Sequence, residues 1–403
     1  MSTSRRRGWS PGFLLVSLVM VVAATVTSFP APAGARGRAE EPWAIGMICS
    51  CTGPEASSTS VSAPTLVAWA DAVNAKGGVD GHRIKLIVKD DATNPGTSLA
   101  EVESMVSQDH VLAIFDNSDV DNAFEAYVAG HHVPVIGSYA DSTAMYTNAD
   151  FFPNGSTINR EPQAFVYLAK RVHAKKVADL YCAEVAICKQ ATEAGIPVFA
   201  KAGIKVSYTA AIGFAAPNYT AQCLAAKESG ATAMTVGDAS AVVVKVAQDC
   251  AAQGYTPVQI SGDGTVAESW RTTPAMNGNL DVQPDIPFFV DSTPATRAMY
   301  AAIRKYEPSL ATSPDFGEVV VEAWTSGLLF EAAAKAAHLG NGATPAQVIK
   351  GLYDLHGVTL GGMTPPLTFA RNKPTTGISC NFVMGIKNGK WTLPIGLKTI
   401  CPK

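Results

Sequence analysis

The sequence predicts an α/β protein with two doubly wound parallel sheets. Three observations predict it. Short apolar runs alternate with amphipathic helical segments along most of the chain. The alternation restarts near residue 160. Polar, small or acidic residues cluster just after the apolar runs, where open parallel sheets place their ligands.

The first run of elements begins with WAIGMI (43–48), a short apolar strand. In the helical segment 65–78, Leu66, Val67, Ala70 and Val73 fall on one face, and Gly77-Gly78 provides the stop. RIKLIVKD (83–90) is the next strand. Leu99, Val102, Met105 and Val106 recur at helical spacing in 98–109. A strand (111–116), a short helix (120–130) and a strand (133–138) complete this half.

The second run repeats the alternation. Helices are expected at 161–173, 188–203, 218–230 and 239–255, and strands at 176–182, 204–213, 231–238 and 257–264. Beyond Asp291 the pattern turns helical, at 293–306, 316–340 and 344–357. The tail 381–394 reads as a hairpin turning at Asn388-Gly389.

The N-terminus carries Arg5, Arg6 and Arg7, an apolar stretch from Phe13 to Val26 and small residues around Ala31 to Ala35. This is the pattern of a secretory signal spanning 1–35. Its removal leaves 28 basic against 34 acidic side chains, a net charge of −6. A mildly acidic export product without a basic stripe is a poor nucleic-acid binder. The remaining chain is long for one core, so two domains are expected.

All eight cysteines follow the signal, and an even count in an exported chain predicts disulfides. Cys182 and Cys188 bracket one short loop. Cys223 and Cys250 lie on consecutive helices flanking one strand, and Cys380 and Cys401 share the tail. These three pairs are expected. Cys49 and Cys51 remain, as a local disulfide or as two thiols beside a cleft. Strand alternation puts both on one side, so only a kinked backbone would join them. Cys49 lies too far beyond Val26 to be a lipid-attachment site. No metal-ligand cluster, P-loop or nucleophile elbow occurs, and no cofactor is expected.

The order IGMI…TGP, then VNAKGGVDGHRIKLIVKDDATNPGTSLAEVESMV, then VPVIGS resembles the N-terminal lobe of branched-chain amino-acid-type periplasmic solute-binding proteins of ABC transporters. The resemblance implies the type I periplasmic-binding fold, with two doubly wound Rossmann-like lobes joined by a three-segment hinge. Lobe one would comprise 42–158 and 290–370, and lobe two 159–289 and 371–403. Ligand binding would close the lobes.

Residues after the strands are the candidate ligand contacts. Thr52 and Gly53 follow the first strand. Ser118 and Asp119 follow the third, and Ser138, Tyr139 and Asp141 the fourth. In the family these last two loops hold an amino acid's carboxylate and ammonium through hydroxyls and backbone groups. Here Asp116, Asp119 and Asp141 crowd the same rim, which disfavours a carboxylate and favours a cation or polyol. Asp263 stands where amino-acid binders of the family carry an acid for the ligand ammonium. Asp238 is either a ligand contact or a cap for the following helix. The chain has Ile187-Cys188 where many relatives place a Tyr-Gly pair over the ligand. Asp90-Asp91 read as structural, with Asp91 and Asn94 capping the turn into the helix after Pro95.

The expected function is an exported monomer, in the periplasm or on the extracytoplasmic face of the envelope. It would bind a small polar ligand (an amino acid, an amide or a related compound) and deliver it to an ABC permease in the membrane. It would not be an enzyme. The competing readings are a ligand-sensing module signalling to a membrane receptor, and an exported hydrolase using Asp90, Asp116 or Asp263. The sequons at Asn154 and Asn218 fit glycosylation by pattern only.

Overall fold

The computed structural model describes residues 40–137, 142–262, 264–375 and 378–402. The expected signal 1–35 lies outside the described residues.

Five parallel strands form the first sheet: β1 (Trp43–Cys49), β2 (Ile84–Asp90), β3 (Ile114–Asn117), β4 (Val135–Gly137) and β5 (Phe151–Pro153). Their lateral order is β2-β1-β3-β4-β5. Strand β1 pairs on both edges, with β2 and with β3. That central position explains why WAIGMIC is apolar throughout instead of alternating. Helices α1 (Ala56–Thr59) and α2 (Ser62–Asn74) follow β1, and α3 (Pro95–Ser107) follows β2. Helices α4 (Glu125–His131) and α5 (Ala144–Thr147) follow β3 and β4. The start of α3 is set by Asn94, whose side chain accepts from Thr97 N at 3.0 Å, with Pro95 in the first turn.

The second half opens with α6 (Glu161–Arg171) and repeats the plan. Strands β6 (Lys176–Cys182), β7 (Lys205–Ile212), β8 (Ala233–Gly237), β9 (Val258–Ser261) and β10 (Leu280–Gln283) stand in the order β7-β6-β8-β9-β10. Helices α7 (Ala186–Lys201), α8 (Thr220–Ser229) and α9 (Ser240–Ala252) connect β6 to β9. Both sheets therefore run second-first-third-fourth-fifth, and each has a switch point beside its first strand.

Helices α10 (Pro294–Tyr306) and α11 (Glu318–Ala337) then pack on α2 of the first half, and α12 (Pro345–Tyr353) packs on α11. Segment 344–357 is shorter as a helix than its periodicity predicts. It ends at Tyr353, and β11 (His356–Val358) pairs antiparallel with β12 (Leu367–Thr368). Gly357 at φ +64° is incompatible with continuing the helix. The tail forms the expected hairpin, β13 (Phe382–Lys387) and β14 (Lys390–Thr392), added antiparallel to β10. Asn388 and Gly389 both have positive φ, as a two-residue hairpin turn requires.

The chain crosses between the sheets three times: after β5, after β10 and between β12 and β13. Polar side chains hold these passages. Asn154 Nδ2 donates to Glu322 O (2.8 Å) and Thr325 Oγ1 (2.7 Å), and Thr325 Oγ1 donates to Asp285 Oδ2 (2.7 Å). Gln283 Nε2 donates to Glu318 Oε2 (2.8 Å), and Ser156 Oγ donates to Asn381 Oδ1. Asn154 is wholly buried in this network, so the first sequon has no access for a sugar.

The core of the first half centres on Trp69, Phe115 and Phe330, packed edge-to-face. Helix α11 reaches α2 there only because residue 327 is glycine. A Cβ on Gly327 would lie 2.4 Å from the Trp69 ring. Gly327→Ala should therefore cost about 1–3 kcal/mol through overpacking. Urea unfolding should show a lower midpoint with an unchanged slope; an unchanged midpoint would mean that the helix–helix contact yields without cost.

Candidate functional site

The carboxyl ends of both sheets face one cavity. The first half contributes Glu55 after β1 and Ser118 and Asp119 after β3, the two loops flanking its switch point. The second half contributes Asp179 and Tyr181 on β6 and Thr235 and Asp238 on and after β8, which flank its own switch point. Ligands of doubly wound sheets bind at such points.

The first-half loops are fixed by Asp91. Its carboxylate accepts from Ser50 Oγ (2.8 Å), Ser118 Oγ (2.5 Å) and Thr93 N (2.8 Å). Ser50 Oγ in turn accepts from Asp119 N (3.1 Å). Burial raises the Asp91 pKa against these bonds. Asp91 thus ties three loops together and, through Thr93 N, closes the turn into α3, whose first turn Asn94 caps, as expected from the sequence. Ser118 lines the cavity, but its hydroxyl proton is committed to Asp91.

Thr52 and Gly53 do not line the cavity. Thr52 Oγ1 donates to Asp90 Oδ2 (2.7 Å) and Thr52 N to Asp90 Oδ1 (3.2 Å). Burial acts to raise the Asp90 pKa, yet the bonds from Thr52 and the Ala92 amide hold it lowered. Gly53, at φ +88°, packs against Ala92, whose carbonyl oxygen would lie 2.8 Å from a Cβ. The turn faces the β2 loop, and Glu55, two residues on, reaches the cavity in its place.

Asp238 is 7 % exposed. Its Oδ1 accepts from Ala239 N (2.8 Å), while Oδ2 is buried with no hydrogen-bond partner among the described residues. Burial pushes its pKa up to about 8, with the Glu184 charge adding. Asp238 does not cap the body of α9. Ser58 Oγ accepts from Ser240 N (3.0 Å) and Ser57 Oγ from Ala241 N (3.1 Å). The start of a second-half helix is therefore capped by α1 of the first half.

Glu55 is also buried. Burial raises its pKa well above the usual range, and the charges of Asp119, Asp238 and Glu184 add to the effect. Asp116 does not stand on the rim, where the sequence suggested it. It is wholly buried beneath the cavity wall and hydrogen-bonded to Asp121. Ser142 Oγ donates to Asp121 Oδ2. Burial raises both carboxyls, Asp121 to about 7 and Asp116 well above the ordinary value, with Asp121 and Asp91 repelling Asp116 and Glu125 repelling Asp121.

The structure contains four disulfides: Cys182–Cys188, Cys223–Cys250, Cys380–Cys401 and Cys49–Cys51. Cys49 and Cys51 have Cα atoms 5.1 Å apart, closer than the ~6.6 Å of an extended two-residue step, so the chain kinks where β1 ends. The Cys182–Cys188 bridge joins the end of β6 to the first turn of α7 and sets Val185, Ile187 and Cys188 into the cavity wall. Ser138, Tyr139, Asp141 and Asp263 lie outside the described residues. Glu55, Glu161, Asp179 and the apolar face of α7 were not singled out in the sequence. Only Glu55 carried a signal, two residues past the Thr52-Gly53 turn.

A family model described as periplasmic binding protein matches residues 42–390. The chain belongs to this family. The resemblance seen in the VNAKGG…DDATNPG region thus extends over most of the chain. Among solved structures, a branched-chain amino acid ABC transporter protein from Thermus thermophilus, with bound valine, superposes with TM-score 0.80 at 14% identity. The match covers 90% of this chain and 96% of that one. A fatty acid ABC transporter substrate-binding protein from Thermomonospora curvata gives 0.77 at 17% identity, covering 90% and 93%. A substrate-binding protein from Aeropyrum pernix gives 0.78 at 16%, covering 90% and 97%. No curated protein matches by sequence. These likenesses establish the type I fold, with its two lobes.

Two outcomes follow for this periplasmic binding protein. Asp116 and Asp121 hold protons in the fold to higher pH than in the unfolded chain, where Asp titrates near ~3.9. The folded state then binds more protons, so stability is full in acid and is lost as pH rises through about 7. The thermal midpoint should fall between pH 5 and pH 8, and less so in Asp116→Asn, whose amide keeps the bond to Asp121 without ionising. Equal slopes would clear the pair of this role. Replacing Ser57 and Ser58 together by alanine should speed amide exchange at Ser240 and Ala241 about fivefold or more, the equivalent of one lost cap. Unchanged protection would show that the inter-half caps contribute nothing.

Proposed function

We propose that the protein captures a small polar solute between its two lobes and delivers it to an ABC permease at the extracytoplasmic face of the envelope. The lobes are 42–158 with 290–370 and 159–289 with 371–403, and the three passages act as the hinge. The protein acts as a monomer and performs no covalent chemistry. The observation that carries this reading is the shared cavity at both switch points, with the buried, unpartnered Asp238 oxygen on its wall. The superposed proteins named for transport of branched-chain amino acids and fatty acids support it. An amino acid, an amide or a related nitrogen compound suits the carboxyl-rich wall.

A thermal-shift screen against amino acids, amides and amines, followed by calorimetric titration, tests the reading. A bound solute at a hundredfold excess over Kd should stabilise the fold by about 2.7 kcal/mol. Asp238→Asn should weaken that binding roughly tenfold or more, while the free protein's midpoint shifts by no more than about 2 °C. A screen in which no solute stabilises the wild-type protein would overturn the proposal.

A further inference from the structure

The cavity does not stop at the cleft. From the carboxyl groups at its mouth it continues into the second half, between the sheet and helices α6 and α7. Its inner wall is apolar: Phe165 of α6, Ala191, Gly195 and Phe199 of α7, and Ile260 of β9. Residues 191, 195 and 199 recur one turn apart, so one stripe of α7 faces the space. Glycine and alanine on that stripe leave room where core side chains would ordinarily fill. The space has one carboxyl, Asp179, which is already engaged, accepting from Thr235 Oγ1 at 2.8 Å and from the Thr192 hydroxyl.

The mouth has the opposite character. Glu55, Asp119, Glu161 and Asp238 line it, and no Lys, Arg or His among the described residues lines the cavity. Arg160 flanks the lining residues Ile158 and Glu161 in the chain without forming part of the wall. An acidic cluster alone marks nothing. Here it coincides with a buried carboxylate oxygen of Asp238 that lacks a partner. A carboxyl oxygen left without a partner in a desolvated wall is matched by a charged donor, beside which the group gives up its proton. Ser118, the hydroxyl at which the sequence placed a ligand carboxylate, has its proton on Asp91.

We propose that the ligand is a hydrophobic amine without a carboxylate: its ammonium meets Asp238 and Glu55 at the mouth, and its aliphatic or aromatic tail enters the pouch between α6 and α7. This rests on the solute-binding reading above and narrows its ligand.

Calorimetry with matched pairs tests it: leucine against isoamylamine, and phenylalanine against phenethylamine, each pair differing by one carboxylate. Methylamine and hexanoate serve as the tail-less amine and the tailed acid. Isoamylamine or phenethylamine should bind roughly tenfold or more tightly than its amino acid, methylamine or hexanoate. Gly195→Leu fills the pouch. The Cβ there would sit in ordinary contact, 3.7 Å from Pro162, so the helix tolerates it. Ala191→Leu, one turn earlier, is a second filled variant should the first fail to fold. Either folded variant should lose roughly tenfold or more in affinity for the tailed amine. Binding of an amino acid or hexanoate as tight as that of the amines, or unchanged affinity in a folded filled variant, would overturn the inference and leave the solute-binding reading standing. No binding by any solute, in this set or the wider screen, would overturn both.

Discussion

The carboxylate of Asp91 is the constraint on which the first half of the site depends. It lies just past β2, yet it accepts from a serine at the end of β1 and another after β3. Burying a carboxylate is costly unless hydrogen bonds replace its water. Those bonds come from the loops that must be positioned, so satisfying the charge and shaping the cavity rim are one event. The same bonds withdraw Ser118 from solute chemistry and leave the mouth to carboxyl groups. Removing the carboxylate would leave Ser50 and Ser118 as buried hydroxyls without their acceptor and free both loops at once.

The two sheets repeat one winding order, which sets their switch points on the two sides of a single cavity. Polar contacts join the halves near that cavity: serines of α1 on α9 amides, and Gln283 on Glu318. Polar contacts of this kind can exchange for water when halves separate, whereas a broad apolar contact would resist separation. The caps from Ser57 and Ser58 matter most in this respect. They tie the start of α9, next to Asp238, to the loop that carries Glu55. Any movement of one half against the other changes the spacing of those two carboxyls.

Much of this was legible in the sequence. Periodicity located the strands and helices of both halves because burial on one face or two leaves a pattern within a few residues. Strands β5 and β10 escaped it. Each has only three or four residues, and Pro153 and Asp281 are poor strand signals. The site was less legible. Whether Ser118 faces a solute or Asp91 depends on a residue 27 positions away. Asp116 and Asp119 look alike in sequence, but one is sealed beneath the wall and the other stands on it. The pouch left no sequence trace, because Ala191 and Gly195 read as ordinary helix residues. A void is set by what faces them, not by what they are.

The acidity of the mouth also acts as selection. Glu55 and Asp238 are both desolvated, and the charge of Asp238 adds to the cost of ionising Glu55, as that of Glu184 does for Asp238. A solute carboxylate would enter that field and add to the repulsion. An ammonium would relieve it and allow both groups to ionise. Rejection of one class and acceptance of the other then come from the same residues, which is how binding sites discriminate by repulsion as well as attraction. The apolar pouch acts on a second axis, excluding small amines that leave it empty. Charge at the mouth and volume behind it must both be satisfied, and neither Asp238 nor Gly195 could impose that condition alone.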